Sequence, residues 1–282
     1  MTEQDYAFVV KLLQERTAIV LDPGKEYLVE SRLAPVALLH GLSTATEFIQ
    51  KLRSPGGTAC IADLIEAMVT TETSFFRDVH PFETLRKTVL PELLRSRLPD
   101  RELNIWCGAS ASGQEPYTIA ILIREHFPEL LGWTINILAS DLSTEMLKRS
   151  QEARYTQLEV SRGMPAALLA KYFRQDGFHW VLRDDIRSMV RFQQINLAQA
   201  WPQMPMWDII LIRNAMIYFD IEMKKAILRR VSKVLRQDGL LILGGAETTL
   251  NLDPAYQRVE HLKSGFYRLV DKPLPLRVTQ SE

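Results

Sequence analysis

Two stretches of this chain carry residue types and spacings able to do chemistry. The apolar run Leu103-Asn104-Ile105-Trp106 leads into Cys107-Gly108-Ala109-Ser110-Ala111-Ser112-Gly113-Gln114-Glu115, and the run Ile137-Leu138-Ala139-Ser140 ends on Asp141. Small-residue loops beyond the carboxyl ends of parallel strands let a ligand approach the backbone, and an acid there holds ribose hydroxyls. Gly108 and Gly113 stand G-x-x-x-x-G, as in a P-loop, but Gln114-Glu115 replaces the Lys and Ser/Thr that a P-loop requires. A carboxylate beside a triphosphate repels it. The dinucleotide pattern G-x-G-x-x-G is also missing, and Asp141 follows Gly113 by 28 residues rather than about twenty. What remains is a cofactor with a ribose and a base but no phosphate, of which S-adenosylmethionine is the common example. On these residues alone, a tight strand-to-helix turn beside a solvated Asp stays open as the competing reading.

The elements that must position these residues fall into two regions. Residues 1–70 show helical periodicity and no strand: Phe8, Val9, Leu12 and Leu13, then Phe48, Ile49 and Leu52, then Ile61, Leu64, Ile65 and Met68. Turns are expected at Asp22-Pro23-Gly24 and Ser54-Pro55-Gly56-Gly57, and Pro35 is expected to kink or split the helix between Lys25 and His40. With six Lys or Arg against nine Asp or Glu, this bundle of three or four helices is no basic arm. From about residue 100, strands alternate with amphipathic helices. A helix is expected from Pro116, with Ile119, Ala120, Ile123 and Phe127 on one face. After Asp141, Ser143 is placed to cap the next helix. Residues 177–195 alternate like an antiparallel excursion broken at Arg183-Asp184-Asp185, and Trp207–Ile212 reads as a strand buried on both faces. A helix over Ile221–Arg236, a strand over Leu240–Gly244 and a hairpin from Tyr256–Leu262 and Gly265–Val270 complete the chain.

The 282 residues are 46% hydrophobic, and 34 basic residues balance 34 acidic ones, which fits a globular protein and argues against a general nucleic-acid or membrane-surface binder. The acidic start Met1–Asp5 lacks a secretory pattern and no apolar run is long enough for a membrane span, so a cytoplasmic protein is expected. Cys60, Cys107 and five scattered His supply no disulfide framework and no metal spacing.

A terminal antiparallel hairpin on a parallel sheet is similar to the end of the class I methyltransferase sheet. Amino methyltransferases acting on DNA bases carry an Asn/Asp-Pro-Pro-aromatic segment after the fourth strand; here that place reads Arg213-Asn214-Ala215-Met216-Ile217-Tyr218-Phe219, which disfavours a nitrogen acceptor. The segments Thr70–Asp78, Ser112–Tyr117, Ala139–Asp141, Asn196-Leu197 and Arg213–Asp220 resemble, in order and over almost the whole chain, the motif set of the chemotaxis receptor methyltransferases, the CheR family.

The resemblance implies an α/β fold: a class I S-adenosylmethionine-dependent, Rossmann-like sheet with a terminal antiparallel hairpin, a small N-terminal all-helical domain (1–70) and a small antiparallel β excursion (177–195). A linker (71–84) contributes to the cofactor site, the methyltransferase domain spans 85–275, and 276–282 form a tail. It further implies methyl transfer from S-adenosylmethionine to glutamate carboxylates on the cytoplasmic helices of chemoreceptors, with S-adenosylhomocysteine as the product. Whether a regulatory signalling protein is a further partner stays open at this point, and a monomer is the expected state. Thr73 and Arg77 are carried over to the methionine end of the cofactor with Glu115, Asp141 to the ribose and Asn196-Leu197 to the adenine, and Thr71 is a further cofactor-binding residue. Arg213, Asn214 and Tyr218 line the mouth, with Arg77 and Tyr218 as the catalytic pair. For Arg77 the alternative is an ion pair with Asp78 or another acid, and for Tyr218 plain packing. Thr71 stands where the motif usually has Asn, Gln114 where Glu is frequent, and Ser110 where Cys or Ala is frequent. Arg174, behind Tyr172-Phe173, loosely matches an Arg of the family, and the short segment from Tyr172 to Phe192 implies independence from a receptor C-terminal tether. Two competing readings are a cofactor-binding module without transfer and a small-molecule O-methyltransferase; the latter has no use for the helical domain.

Overall fold

The computed structural model describes residues 1–262 and 265–270; the Lys263-Ser264 connection, the end of the expected domain at 271–275 and the expected tail 276–282 lie outside the described residues. Four helices build the N-terminal bundle: α1 (Glu3–Thr17), α2 (Glu26–Leu39), α3 (Ala45–Arg53) and α4 (Ile61–Met68). Their periodic apolar positions meet in one core, with Val9, Leu13, Val29, Leu33, Phe48, Ile49 and Leu64 fully enclosed. α2 runs through Pro35 instead of splitting there. The proline sits on the exposed face, so the bond its ring removes is one that water replaces.

Residues after the bundle cross to the second domain and enter α5 (His80–Thr84), so the expected linker 71–84 is helical at its end; one π-helical turn (Leu85–Val89) then leads into α6 (Leu90–Arg97). The strands are β1 (Glu102–Gly108), β2 (Thr134–Asp141), β3 (Arg154–Thr156), β4 (Phe173–Asp176), β5 (His179–Leu182), β6 (Val190–Gln194), β7 (Trp207–Ile212), β8 (Leu235–Leu243), β9 (Tyr256–Arg258) and β10 (Gly265–Leu269). Seven of them form one sheet in the order β6-β2-β1-β7-β8-β10-β9, in which β10 runs antiparallel to both neighbours. The chain leaves β1 toward β2 and β6, then returns to the other side at β7. The carboxyl ends of β1 and β7 therefore border the point where strand order reverses, the place where open α/β sheets bind ligands.

Both faces of the sheet are covered. Alternate residues of β1 and β7 (Ile105, Cys107, Ile209, Leu211) pack with α7 (Gln114–His126), while Trp106, Ile210 and Ile212 pack with Ile227, Leu228 and Val231 of a helix spanning Ile221–Val234. That two-sided burial explains the unbroken apolar run of β7. Its one charge, Asp208, is fully buried and satisfied at the amino end of the strand by Arg97 Nε at 2.6 Å and the Asn104 amide at 2.8 Å.

The structure moves several expected boundaries. α7 begins at Gln114, not Pro116, because Gly113 at φ 88° serves as its N-cap residue. β8 starts at Leu235 and carries Asp238-Gly239 within it, with an irregularity in its pairing to β7. The small antiparallel sheet is β3-β5-β4, within residues 154–182, rather than 177–195. Residues 184–187 form a helical turn, and β6 pairs in parallel with β2 at the edge of the main sheet. Alternation sorts the two faces of a strand and says nothing of its direction.

Candidate functional site

A cleft enclosing about 1020 Å³, including its open mouth, lies over the carboxyl ends of β1, β2 and β7. Its floor is the loop after β1. Ala109 (φ 56°) and Ala111 (φ 48°) take left-handed backbone there, and a Cβ on Gly113 would meet Ser150 Oγ at 2.9 Å. Ser150 donates to the Ala111 carbonyl at 3.0 Å and Tyr155 to the Ser112 carbonyl at 2.9 Å, so two neighbouring elements fix the loop. Of these, Ser150 belongs to the helix Thr144–Glu152, which Ser143 caps as expected.

Asp141 lines the cleft at 9% exposure. Its two oxygens accept from the Ala111 amide (2.8 Å) and the Ser143 amide (2.9 Å). Burial raises its pKa; the amides of Ser143, Ala111 and Leu142 oppose the rise, and the nearby Glu66 carboxylate adds to it. Glu66, from the bundle, reaches across to the same helix start. It accepts from the Thr144 amide at 2.7 Å and from the Ser143 hydroxyl, an acidic cap supplied by another domain.

Arg213, at the end of β7, ties the site together. Its side chain is 1% exposed and donates to Glu115 at 2.6 Å and to Asp78 at 2.7 Å; Nη2 also reaches the Arg77 carbonyl at 3.1 Å. Arg77 does not pair with Asp78: its guanidinium lines the cleft, donates to the Glu72 carbonyl at 2.9 Å and makes no ion pair among the described residues. The left-handed backbone of Asp78 (φ 67°) separates these two adjacent side chains. Asn214 and Tyr218 follow Arg213 in the lining, and the Tyr218 hydroxyl has no partner among the described residues. Asn196 lines the far end, but its amide donates to the Arg16 carbonyl of α1 at 2.9 Å; the Leu197 carbonyl beside it accepts from Arg230 at 2.6 Å.

The structure thus brings together Thr73, Arg77, Glu115, Asp141, Asn196, Leu197, Arg213, Asn214 and Tyr218. Thr71 is the exception. It lines a neighbouring depression with Arg32, Glu66 and Ser143, while Thr70 faces the cleft. Arg174 is exposed on β4 and lies outside the lining. Sequence reasoning missed Glu66, and it missed Thr17 and Ile19, which supply a wall from the bundle. Ile19 bridges to Phe219, and the Val20 amide donates to the Tyr218 carbonyl at 2.9 Å. It also missed Glu247, which binds the backbone of the Arg213–Tyr218 segment; the only signal was an acid in the Gly244-Gly245-Ala246-Glu247 turn closing β8.

The donor set fits a nucleoside cofactor. Ser110 Oγ, Arg213 Nε and Asn214 Oδ1 are buried and without partners among the described residues, and all three residues line the cleft. Buried polar atoms left unpaired in this way are costly unless a ligand meets them.

Comparison with known proteins agrees with that geometry. The family described as "CheR methyltransferase, SAM binding domain" matches residues 71–264, and "CheR methyltransferase, all-alpha domain" matches residues 4–69. Chemotaxis protein methyltransferase 1 of Pseudomonas aeruginosa is 35% identical over 94% of this chain and 97% of its own length. Chemotaxis protein methyltransferase Cher2 of Pseudomonas putida is 35% identical over 88% of this chain and 91% of its own. The chemotaxis protein methyltransferase of Vibrio parahaemolyticus is 32% identical over 95% and 98%. The glycine loop, the acid at the end of β2 and the helical bundle are therefore those of an S-adenosylmethionine-binding protein, and the chain belongs to the CheR methyltransferase family.

Proposed function

We propose that this chain methylates glutamate side-chain carboxylates on the cytoplasmic helices of chemoreceptors, acting as a cytoplasmic monomer. The observation that carries the reading is the state of the two cleft arginines. Arg213 is neutralised by Glu115 and Asp78, whereas Arg77 makes no ion pair among the described residues. An incoming carboxylate therefore finds one unspent guanidinium in the cleft, a group able to grip it with two parallel hydrogen bonds.

S-adenosylmethionine, when bound, supplies an electrophilic methyl group on a sulfonium. Thr73, Glu115, Arg213 and Asn214 would hold its methionine end, Asp141 its ribose hydroxyls, and Asn196 and Leu197 its adenine. A glutamate carboxylate is ionised at neutral pH, with a reference pKa of about 4.3, so the protein has no proton to remove. Among the described residues no histidine lines the cleft. Arg77 and Tyr218 have instead to orient the acceptor oxygen and keep water away from it. Alignment of this kind is worth on the order of 7–11 kcal/mol in well-oriented pairs.

The helical bundle that completes the cleft favours a macromolecular acceptor over a small molecule, and the small β3-β5-β4 sheet is proposed to work without a receptor tether. Incubation with labelled S-adenosylmethionine and a purified chemoreceptor cytoplasmic fragment tests the main reading: mild base should release the label as methanol. Base-stable label, or none, refutes it, and measurable binding of a receptor C-terminal pentapeptide refutes tether independence.

A further inference from the structure

Glu247 is a buried acid, 8% exposed, that pairs with no cation among the described residues. Its carboxylate instead gathers four backbone amides. Oε2 accepts from Asn214 (2.8 Å) and Gly244 (2.7 Å), and Oε1 from Ala215 (3.0 Å) and Met216 (2.7 Å). Asn214 is left-handed (φ 58°) and Ala215 right-handed (φ −117°, ψ −40°), the alternation that turns successive amides toward one point and makes an anion-binding concavity. In many proteins such a concavity holds a ligand; here the chain fills it itself. Gly244 is needed for the fit, because a Cβ there would lie 2.8 Å from Glu247 Oε2 and 2.9 Å from the Asn214 amide.

The clamped segment carries Arg213 at one end and Tyr218 at the other, with the unpartnered Asn214 Oδ1 between them. We propose that Glu247 is a positioning residue for methyl transfer: its carboxylate occupies the amide concavity of Asn214–Met216 and fixes the mouth-lining segment against β8. Glutamine in its place offers one acceptor oxygen and turns an NH2 group toward amides that need acceptors. The transfer arm of the test rests on the glutamate-methylation reading; the exchange arm does not.

Hydrogen exchange on the full chain, comparing wild type with Glu247→Gln, reads the clamp directly. Amides 214–216 and 244 should exchange at least about tenfold faster, the factor matching about 1.4 kcal/mol for a lost charged hydrogen bond, while amides of β1 and β2 stay unchanged. The kcat toward the receptor fragment at saturating cofactor should fall by at least about tenfold. Asp208→Asn, at the opposite end of β7, controls for lost stability and should leave kcat within about twofold when the two variants are compared at equal fractions folded. Unchanged protection at 214–216, or a kcat loss no larger than that of Asp208→Asn, overturns the proposal. Should Glu247→Gln not fold, Glu247→Asp, with its acceptors withdrawn by one methylene, takes its place under the same criteria. If the wild type methylates no receptor fragment, the reading of the previous section fails, and the exchange result alone decides this one.

Discussion

Arg213→Met tests the central ion network of the cleft, and the structure sets the size of the effect. The arginine is 1% exposed and Glu115 12%, so its removal strands a nearly enclosed carboxylate. Removing one member of such a pair costs about 3–5 kcal/mol. The Asp78 side adds little: that carboxylate is 54% exposed, and exposed pairs are worth about 0–1 kcal/mol. The cation over the Phe82 ring, at 5.5 Å, adds about 0.5–1 kcal/mol. Glu115→Gln alone leaves Arg213 with Asp78 and should cost about 1–3 kcal/mol. In Arg213→Met/Glu115→Gln no buried charge is left over, so the double variant should lose less than the sum of the singles, by up to about 3 kcal/mol. Urea unfolding at neutral pH followed by circular dichroism, without cofactor, gives all four corners of the cycle. Additivity within about 0.5 kcal/mol would refute the coupled pair, as would a cost below about 1 kcal/mol for Arg213→Met, under the range for a broken buried pair.

Arg77→Ala should lower turnover on a receptor fragment by about 10- to 150-fold, the worth of a lost charged hydrogen bond, with S-adenosylhomocysteine affinity by calorimetry nearly kept; equal losses in both would move Arg77 from the acceptor to the cofactor. Because burial raises the Asp141 pKa, S-adenosylhomocysteine affinity should weaken on acidification with a midpoint above the ordinary value of 3.8, and Asp141→Asn should bind more weakly and abolish that dependence. The sign for folding is opposite: a raised acid pKa contributes stability that is present below 3.8 and lost as pH climbs through the raised value, which urea titrations across acidic pH would reveal as a difference between wild type and Asp141→Asn. Glu66→Gln weakens a cap shared between domains and should cost about 1 kcal/mol in thermal unfolding; no loss would mean that water caps the helix equally well.

Legibility followed the range of the interactions involved. The two-sided burial of β7, the small-residue loop after β1 and the acid closing β2 are local patterns, so each could be read from its own residues. Arg154-Tyr155-Thr156 could not, since three residues carry no periodicity and β3 exists only through its pairing with β5. Glu66 and Glu247 serve amides 78 and 33 residues away, at Thr144 and Asn214, so nothing beside them in sequence announces the role. Arg77 and Asp78 are neighbours of opposite charge and invite pairing, but the positive φ at Asp78 delivers its carboxylate to Arg213 instead. Thr71 lies beside the cleft rather than in its lining, in a depression that shares Thr70 and Glu72 with it, a placement that the order of residues in the segment does not announce.

The backbone stitch between Ile19 and Phe219 gives the helical bundle a second occupation. A truncation that begins after the bundle would remove Thr17 and Ile19 and leave the donor chamber open along one flank. The Val20 amide, donating to the Tyr218 carbonyl, ties the backbone of the tyrosine at the threshold to the bundle. The bundle and the segment from Arg213 to Phe219 thus share one seam, and the far wall of the cleft is built only when both domains are in place.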